Sequence, residues 1–441
     1  MSSANKTTNY VPKAVFDTFK TTIELYKEVT GSNNPKSVIE DWFKVCFASN
    51  NTKTSTSTLS VPDFAINDYK LALSFLYSYR GSADTFGAYR RDLERFLQWS
   101  WFISQKSILD HRREDIEAFI EFCMKPPKSW IALKKVSRFK TNKDGTKISN
   151  PEWKPFEAHI SKSDHREGNK PSKKEYKFSG SAMKAMFGIL SSFYNFLMQE
   201  EIAQINPVIL IRQKSKFLQK QQKVQVVRRL SNQEWKSVIS YIKIKAEENI
   251  NHERTLFILS CLYGMYLRIS ELTSTPKHSP TMGDFFKDSE GNWWFKTVGK
   301  GNKLRQIALS NEMLEALARY RVNYLKLSPI PSPSETTPLI GHLKNPHRSI
   351  TCDRPIRKLV QECFDGAANE MEKQGDEEAA QNLRVATVHW LRHTGISEDV
   401  KHRPREHVRD DAGHGSSAIT DRYIDIELKE RAKSAKNKKI S

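Results

Sequence analysis

The stretch "HWLRHTGI", His389 to Ile396, places two histidines and an arginine within five residues. On a helix, His389 and Arg392 stand three apart and share a face, and His389 and His393, four apart, are neighbours as well. Three chemistries fit such a cluster: a metal site, a phosphate clamp, or the solvated end of a helix. The two histidines have the zinc-binding spacing of HExxH, but Trp390 occupies the position of the general-base glutamate. A third ligand would have to be His414 or a distant acid, so a metal is not expected. The choice between clamp and ordinary helix end rests on the other residues that the chain can bring to the same place.

Four further side chains bear on it. Arg268 lies in "YLRISELTS", near the end of what reads as one long apolar helix, "TLFILSCLYGMYLRISELTS". Burying an unpaired arginine there would be expensive, so it calls for an anionic partner, either Glu271 or a ligand phosphate. Lys300 sits at the tip of "VGKGNK", flanked by aromatic and β-branched residues, which reads as a β-hairpin with a Gly-rich turn. The segment "AGHGSSAITDRYID" adds His414 and, nine residues on, Tyr423. The set has no P-loop and no pair of carboxylates suited to magnesium. Arginines, a lysine and imidazoles suit a phosphoryl transition state with charge on its nonbridging oxygens. A tyrosine hydroxyl suits attack on phosphorus with a covalent intermediate.

The bulk properties agree with a polyanionic partner. The formal net charge is +20 and the pI about 9.5, an excess that points to nucleic acid. Hydrophobic content of 38% is enough for globular cores, and 441 residues suggest two or three domains. The five cysteines, Cys46, Cys123, Cys261, Cys352 and Cys363, are dispersed without a CxxC pair, as in a reducing cytoplasm. The opening "MSSANKTTNY" has no apolar core of a signal peptide, and no apolar run reaches membrane-spanning length. A cytoplasmic location and no membrane partner are therefore expected.

Along the chain, "AVFDTFKTTIELYKEV" is amphipathic, and "SNNTKTSTSTLS" reads as a linker, so residues 1–62 form an unassigned extension. Helical periodicity runs through "DYKLALSFLYSYR", "TFGAYRRDLERFLQWSWF" and "REDIEAFIEFCM". Residues 127–178, rich in Lys, Pro, Gly and Ser, read as a basic insertion or long loop. A strong helix follows in "SAMKAMFGILSSFYNFLMQEEIAQINPV", its end expected at Asn206-Pro207. Residues 212–229 form a basic linker, either solvated or tracking a phosphate backbone. Ser231 and Glu234 make a capping box that starts the next domain. Helical patterns then cover 310–326, 354–374 and 387–400.

Taken in order, "LYGMYLRISEL", "VGKGNKLRQIAL", "HWLRHT" and "AGHGSSAITDRY" resemble the catalytic domain of the tyrosine recombinase (phage integrase) family over residues 230–424. Residues 63–211 resemble, less specifically, its helical core-binding domain. The resemblance implies a mainly α fold with a small β-hairpin or sheet in the catalytic domain. It also implies a two-domain, C-shaped DNA clamp with a C-terminal tail at 425–441. By position, Arg268 and Arg392 would hold the nonbridging oxygens of the scissile phosphate. Lys300 would protonate the leaving 5′-oxygen, with Lys303 as the alternative if the hairpin register differs. His389 would assist proton transfer, His414 would hydrogen-bond the phosphate, and Tyr423 would form a 3′-phosphotyrosine. Glu271 would orient Arg268.

The implied activity is metal- and ATP-independent site-specific recombination on double-stranded DNA, integrating or excising a mobile element. It would involve a homo-tetramer, an accessory directionality factor and no cofactor. Type IB topoisomerase-like relaxation and a DNA-binding regulator without chemistry are the alternatives. Base contacts are sought near Lys184 and on the helix bearing Arg90 and Arg91. The chain departs from the family in "REHVRDDAGH", where Asp410, Asp411 and Ala412 replace an apolar helix end.

Overall fold

A computed structural model describes residues 10–48, 61–214, 228–276, 278–299, 301–416 and 435–436. The chain divides into two units, Met1–Lys223 and Val224–Ser441. Lys300, Tyr423, the Ser/Thr-rich linker 49–60 and most of the basic linker and C-terminal tail lie outside the described residues.

The first unit is built by capped helices around an aromatic core. Helices α1 (Phe19–Gly31) and α2 (Pro35–Phe47) start where Thr18 and Asn34 accept the amides of Thr21 and Ser37. Each cap satisfies an amide that has no partner inside its helix. α3 (Phe64–Ser78), α4 (Ala83–Trp99) and α5 (Arg113–Met124) follow. The apolar periodicity of α4 continues into a wider π turn, Ser100–Ser104, which stops at Gln105 with φ 54°.

Residues 127–178 fold into short pieces on this unit. β1 (Ile131–Ala132) pairs in parallel with β4 (Phe156–Glu157), and β2 (Phe139–Thr141) pairs antiparallel with β3 (Lys147–Ser149). A one-turn helix, α6 (Lys162–Arg166), completes the region. α7 (Gly180–Gln199) ends earlier than its apolar pattern suggests: Glu201 takes a left-handed φ of 58°. Asn206 then caps a new helix, α8 (Pro207–Lys214). Its Oδ1 accepts the Val208 amide at 3.0 Å, and its Nδ2 donates to the Ser191 carbonyl and Asn195.

The N-terminal segment shares this core. Residues 10–18 run extended, and Ala14, Val15 and Phe16 are fully buried. With no helix or ladder of its own, the segment takes its backbone partners from side chains. Glu94 Oε1 accepts the amides of Val15 and Phe16, and Ser149 Oγ accepts that of Ala14. Trp42 and Tyr69 both donate to the Val15 carbonyl, at 2.8 and 2.7 Å. Arg138 donates to the Phe16 carbonyl and pairs with Glu94. Phe16 stacks on Tyr69 with centroids 4.8 Å apart. Phe16→Ala is expected to destabilise this unit by about 3–5 kcal/mol, the usual cost of an aromatic-sized cavity. Urea unfolding of the full chain measures it, and a loss below about 1 kcal/mol would mean that the segment is not part of the core.

The second unit begins as its capping box foretells. Ser231 Oγ accepts the Glu234 amide, the Glu234 carboxylate accepts the Ser231 amide, and α9 (Asn232–Glu248) follows. α10 (Asn251–Gly264) is shorter than the apolar run that contains it. It stops at Gly264, and Tyr266 turns left-handed at φ 49°. Arg268 is therefore not on a long helix; it is an extended residue that opens a 3-10 turn, Ile269–Glu271.

β5 (Phe285–Lys287), β6 (Trp293–Val298) and β7 (Leu304–Ala308) form an antiparallel sheet in that order. Val298 pairs with Leu304, and in the turn between them Gly301 and Asn302 both have positive φ. After α11 (Asn311–Tyr320) come a small ladder, β8 (Gly341–His342) with β9 (Asn345–Ser349), then α12 (Arg354–Lys373) and α13 (Glu377–Val385). The unit continues with α14 (Val388–Asp399) and α15 (Arg405–Ala412). α10 lies in the middle of the unit, packed by α9, α11 and α14. Gly395 lets α14 approach, since a Cβ there would lie 2.2 Å from the Tyr263 carbonyl oxygen. Among the described residues no helix is long and apolar enough to cross a membrane.

Candidate active site

Three backbone breaks in the second unit carry the charged residues to one place. The left-handed turn after α10 delivers Arg268, the first two turns of α14 deliver His389 and Arg392, and the end of α15 delivers His414. Gly413 closes α15 at φ 64°. A Cβ on it would lie 2.9 Å from Arg305 Cδ, so both the conformation and the space require glycine.

At the base of the site is a buried carboxylate. Glu271 receives Arg305 through two parallel bonds, Nη1 to Oε1 at 2.7 Å and Nη2 to Oε2 at 2.8 Å. Arg268 Nη1 donates to the same Oε1 at 3.0 Å, and the Arg268 amide donates to Oε2 at 2.7 Å. Burial alone would raise the Glu271 pKa, but Arg305 and then Arg268 bring it below the ordinary glutamate value. The carboxylate stays ionised and fixes two guanidinium groups. Arg305 was not singled out from sequence; its only signal there is an arginine on the inward-facing side of a hairpin strand. The Arg268 side chain remains 25% exposed.

Arg392 is held differently. Its side chain is buried, and its two terminal nitrogens reach backbone carbonyls: Nη1 donates to Tyr266 O and Nη2 to Ala412 O at 2.6 Å. The carbonyls come from the turn after α10 and from the last residue of α15. The neighbouring Thr394 bonds the Trp390 carbonyl and accepts the Leu230 amide, tying α14 to the start of the unit.

The imidazoles report on the combined field. His414 is pushed down to about 4 by burial and by the positive charges of Arg392, Arg268 and Arg305. His393 is also lowered to about 4, by burial, Arg392 and His389. His389, the more exposed of the three, is lowered by burial, Arg357, Arg392 and Arg268. Arg268 and Arg392 thus act on the same two imidazoles, His389 and His414. Among the described residues, no three His, Cys, Asp or Glu side chains gather to hold a metal. Lys303 is described and exposed on the hairpin; Lys300 and Tyr423 are not described.

The run "REHVRDDAGH" packs without an apolar end. Asp411 is buried and receives Arg403 Nη2 at 2.5 Å and the Ala308 amide at 3.3 Å. Burial raises its pKa, with Arg403 opposing the shift.

Comparison of the sequence with protein families and with curated proteins gives no match. Comparison of the fold does: the chain has the tyrosine recombinase fold. It is similar to the XerH site-specific recombinase in a post-cleavage complex with a palindromic difH substrate. The TM-score there is 0.52 at 14% identity, covering 97% of this chain and 98% of that one. Other similar structures are a Tn1549 transposon integrase bound to circular-intermediate DNA (TM-score 0.47, 14% identity, 84% and 98% covered) and a lambda integrase dimer on a COC′ core site (0.45, 13%, 83% and 80%).

The lowered histidines fix a pH dependence. Unfolded histidine titrates near 6.5, so between pH 6.5 and 4 the unfolded chain binds protons that His393 and His414 refuse. Stability of the second unit therefore falls as pH drops through that window. NMR titration of labelled histidines should show His414 neutral at pH 6, and added inorganic phosphate should move its titration upward. A His414 titrating near 6.5 without phosphate would contradict the shared-field geometry.

Proposed function

We propose that this chain is a tyrosine-type site-specific DNA recombinase, cleaving and rejoining duplex DNA through a 3′-phosphotyrosyl intermediate on Tyr423. One observation carries the reading: Arg268 and Arg392, 124 residues apart in sequence, act on the same imidazoles and are each held by their own rigid anchor. Such a preorganised pair suits the nonbridging oxygens of one phosphodiester, each well-placed donor contributing about 3 kcal/mol to the transition state. In this reading His414 adds a hydrogen bond to the phosphate and His389 assists the proton leaving Tyr423. Lys300 protonates the departing 5′-oxygen, with Lys303 on the same hairpin as the alternative. Glu271 holds Arg268 from behind. The ester stores the energy of the broken bond, so no ATP is needed.

The +20 charge supports double-stranded DNA as the partner. The two units would close on it as a C-shaped clamp formed by residues 63–211 and 230–424. A homo-tetramer would exchange strands, with an accessory factor setting direction and a mobile element as the setting. Within the first unit Arg90 is committed elsewhere, donating to the Asp17 carbonyl. Arg91 and Lys184 remain exposed enough to reach DNA.

The test is a suicide duplex made from sequences flanking the element. The native chain should form a covalent adduct mapping to Tyr423, and Tyr423→Phe should form none. Adduct in the Phe variant would move the nucleophile elsewhere. Loss of activity in Lys300→Ala should be partly restored by a 5′-phosphorothiolate, whose thiolate leaves without protonation; no restoration would assign the acid to another residue. Binding should weaken steeply with salt, since each lysine or arginine contact to phosphate releases counterions.

A further inference from the structure

Arg392 can serve a phosphate only if its two carbonyl anchors keep their separation. One anchor, Tyr266 O, belongs to a tyrosine in a left-handed turn, a conformation that a bulky residue does not hold unaided. The other, Ala412 O, is the last carbonyl of α15, a helix of only eight residues. A single polar chain joins the two. The Tyr266 hydroxyl bonds Asp399 Oδ2. Arg403 Nη1 reaches both the Tyr266 hydroxyl, at 3.0 Å, and Asp399 Oδ2, at 3.1 Å. Arg403 Nη2 reaches Asp411 Oδ2 at 2.5 Å, next in sequence to Ala412. Asp411 Oδ1 also accepts the Ala308 amide, fixing the end of α15 to strand β7, the strand that carries Arg305.

The geometry points to Arg403, with Asp411, as a positioning residue: it sets the distance between the Tyr266 and Ala412 carbonyls and so aims Arg392 at the scissile phosphate. This rests on the recombinase reading. Arg403 is itself outside the set that would touch DNA phosphate at the site. Its guanidinium is spent on Tyr266, Asp399 and Asp411, and it follows α14 by four residues. A lysine could reach one of these partners as a point charge but could not fork between two.

The test uses the full chain, the suicide duplex and a second duplex with a neutral methylphosphonate at the scissile position. Removing the anionic oxygen removes what Arg392 would hold, so a defect that acts through Arg392 should shrink there, whereas a general folding defect should persist. Arg403→Met is expected to slow adduct formation on the natural phosphate on the order of 10- to 100-fold, the usual consequence of a misplaced contact, with DNA affinity little changed. On the methylphosphonate its rate should approach that of the native chain.

Arg403→Lys should fall between the two. Asp411→Asn keeps the acceptor for the Ala308 amide and nearly the same shape, and it should show the same pattern more mildly, so the proposal is testable even if Arg403→Met folds poorly. A native rate for Arg403→Met on the natural phosphate overturns the proposal. So does an equal deficit on both duplexes. If the native chain itself forms no adduct on either duplex, it is the recombinase reading that fails.

Discussion

The arrangement of the second unit depends on one buried carboxylate. Glu271 sits on a 3-10 turn between α10 and the sheet and binds arginines from two directions. Without it, two guanidinium groups would face each other in a desolvated pocket, and their repulsion would drive the hairpin away from the turn. With it, Arg305 is fixed by a planar fork and Arg268 is held through Nη1, its side chain a quarter exposed. The hairpin β6–β7 is thereby tied to the segment that presents the first arginine.

The second arginine is fixed by a different physics. Carbonyl oxygens hold both terminal nitrogens of Arg392, so its charge is oriented. The imidazoles around it stay neutral because burial penalises their charged form and the nearby field is positive, and neutral imidazoles can accept as well as donate protons. One guanidinium backed by a carboxylate and another backed by dipoles give a site rigid in position and still attractive to an anion. On the recombinase reading, "HWLRHTGI" is a helix end that would serve as an anion clamp.

Much of this is legible in the sequence because it is local. The capping box at Ser231, the hairpin around "GKGNK" and the shared face of His389 and Arg392 follow from spacing alone. What is not legible depends on partners far away in the chain. α10 breaks at Gly264 where apolar periodicity runs on, because the left-handed Tyr266 is stabilised by Asp399 and Arg403, over 130 residues later. The acids of "RDDAGH" look like a packing fault until Asp411 is seen to be paired with Arg403. Arg305 is indistinguishable from any strand arginine until Glu271 lies opposite. In the first unit, α7 ends at Gln199 because Glu201 turns left-handed and the amides of Ile202 and Ala203 fold back onto the Leu197 carbonyl, which no residue type at those positions announces.

The threaded segment at residues 10–17 has a consequence for how the chain emerges from synthesis. Its backbone is satisfied by Glu94, Arg138 and Ser149, so residues 10–17 cannot settle until about the hundred-and-fiftieth residue has appeared. Until then Val15 and Phe16 are exposed with no site to enter, and the closing loop is long, which slows folding. Residues 10–17 thus make completion of the first unit wait on chain far downstream of them.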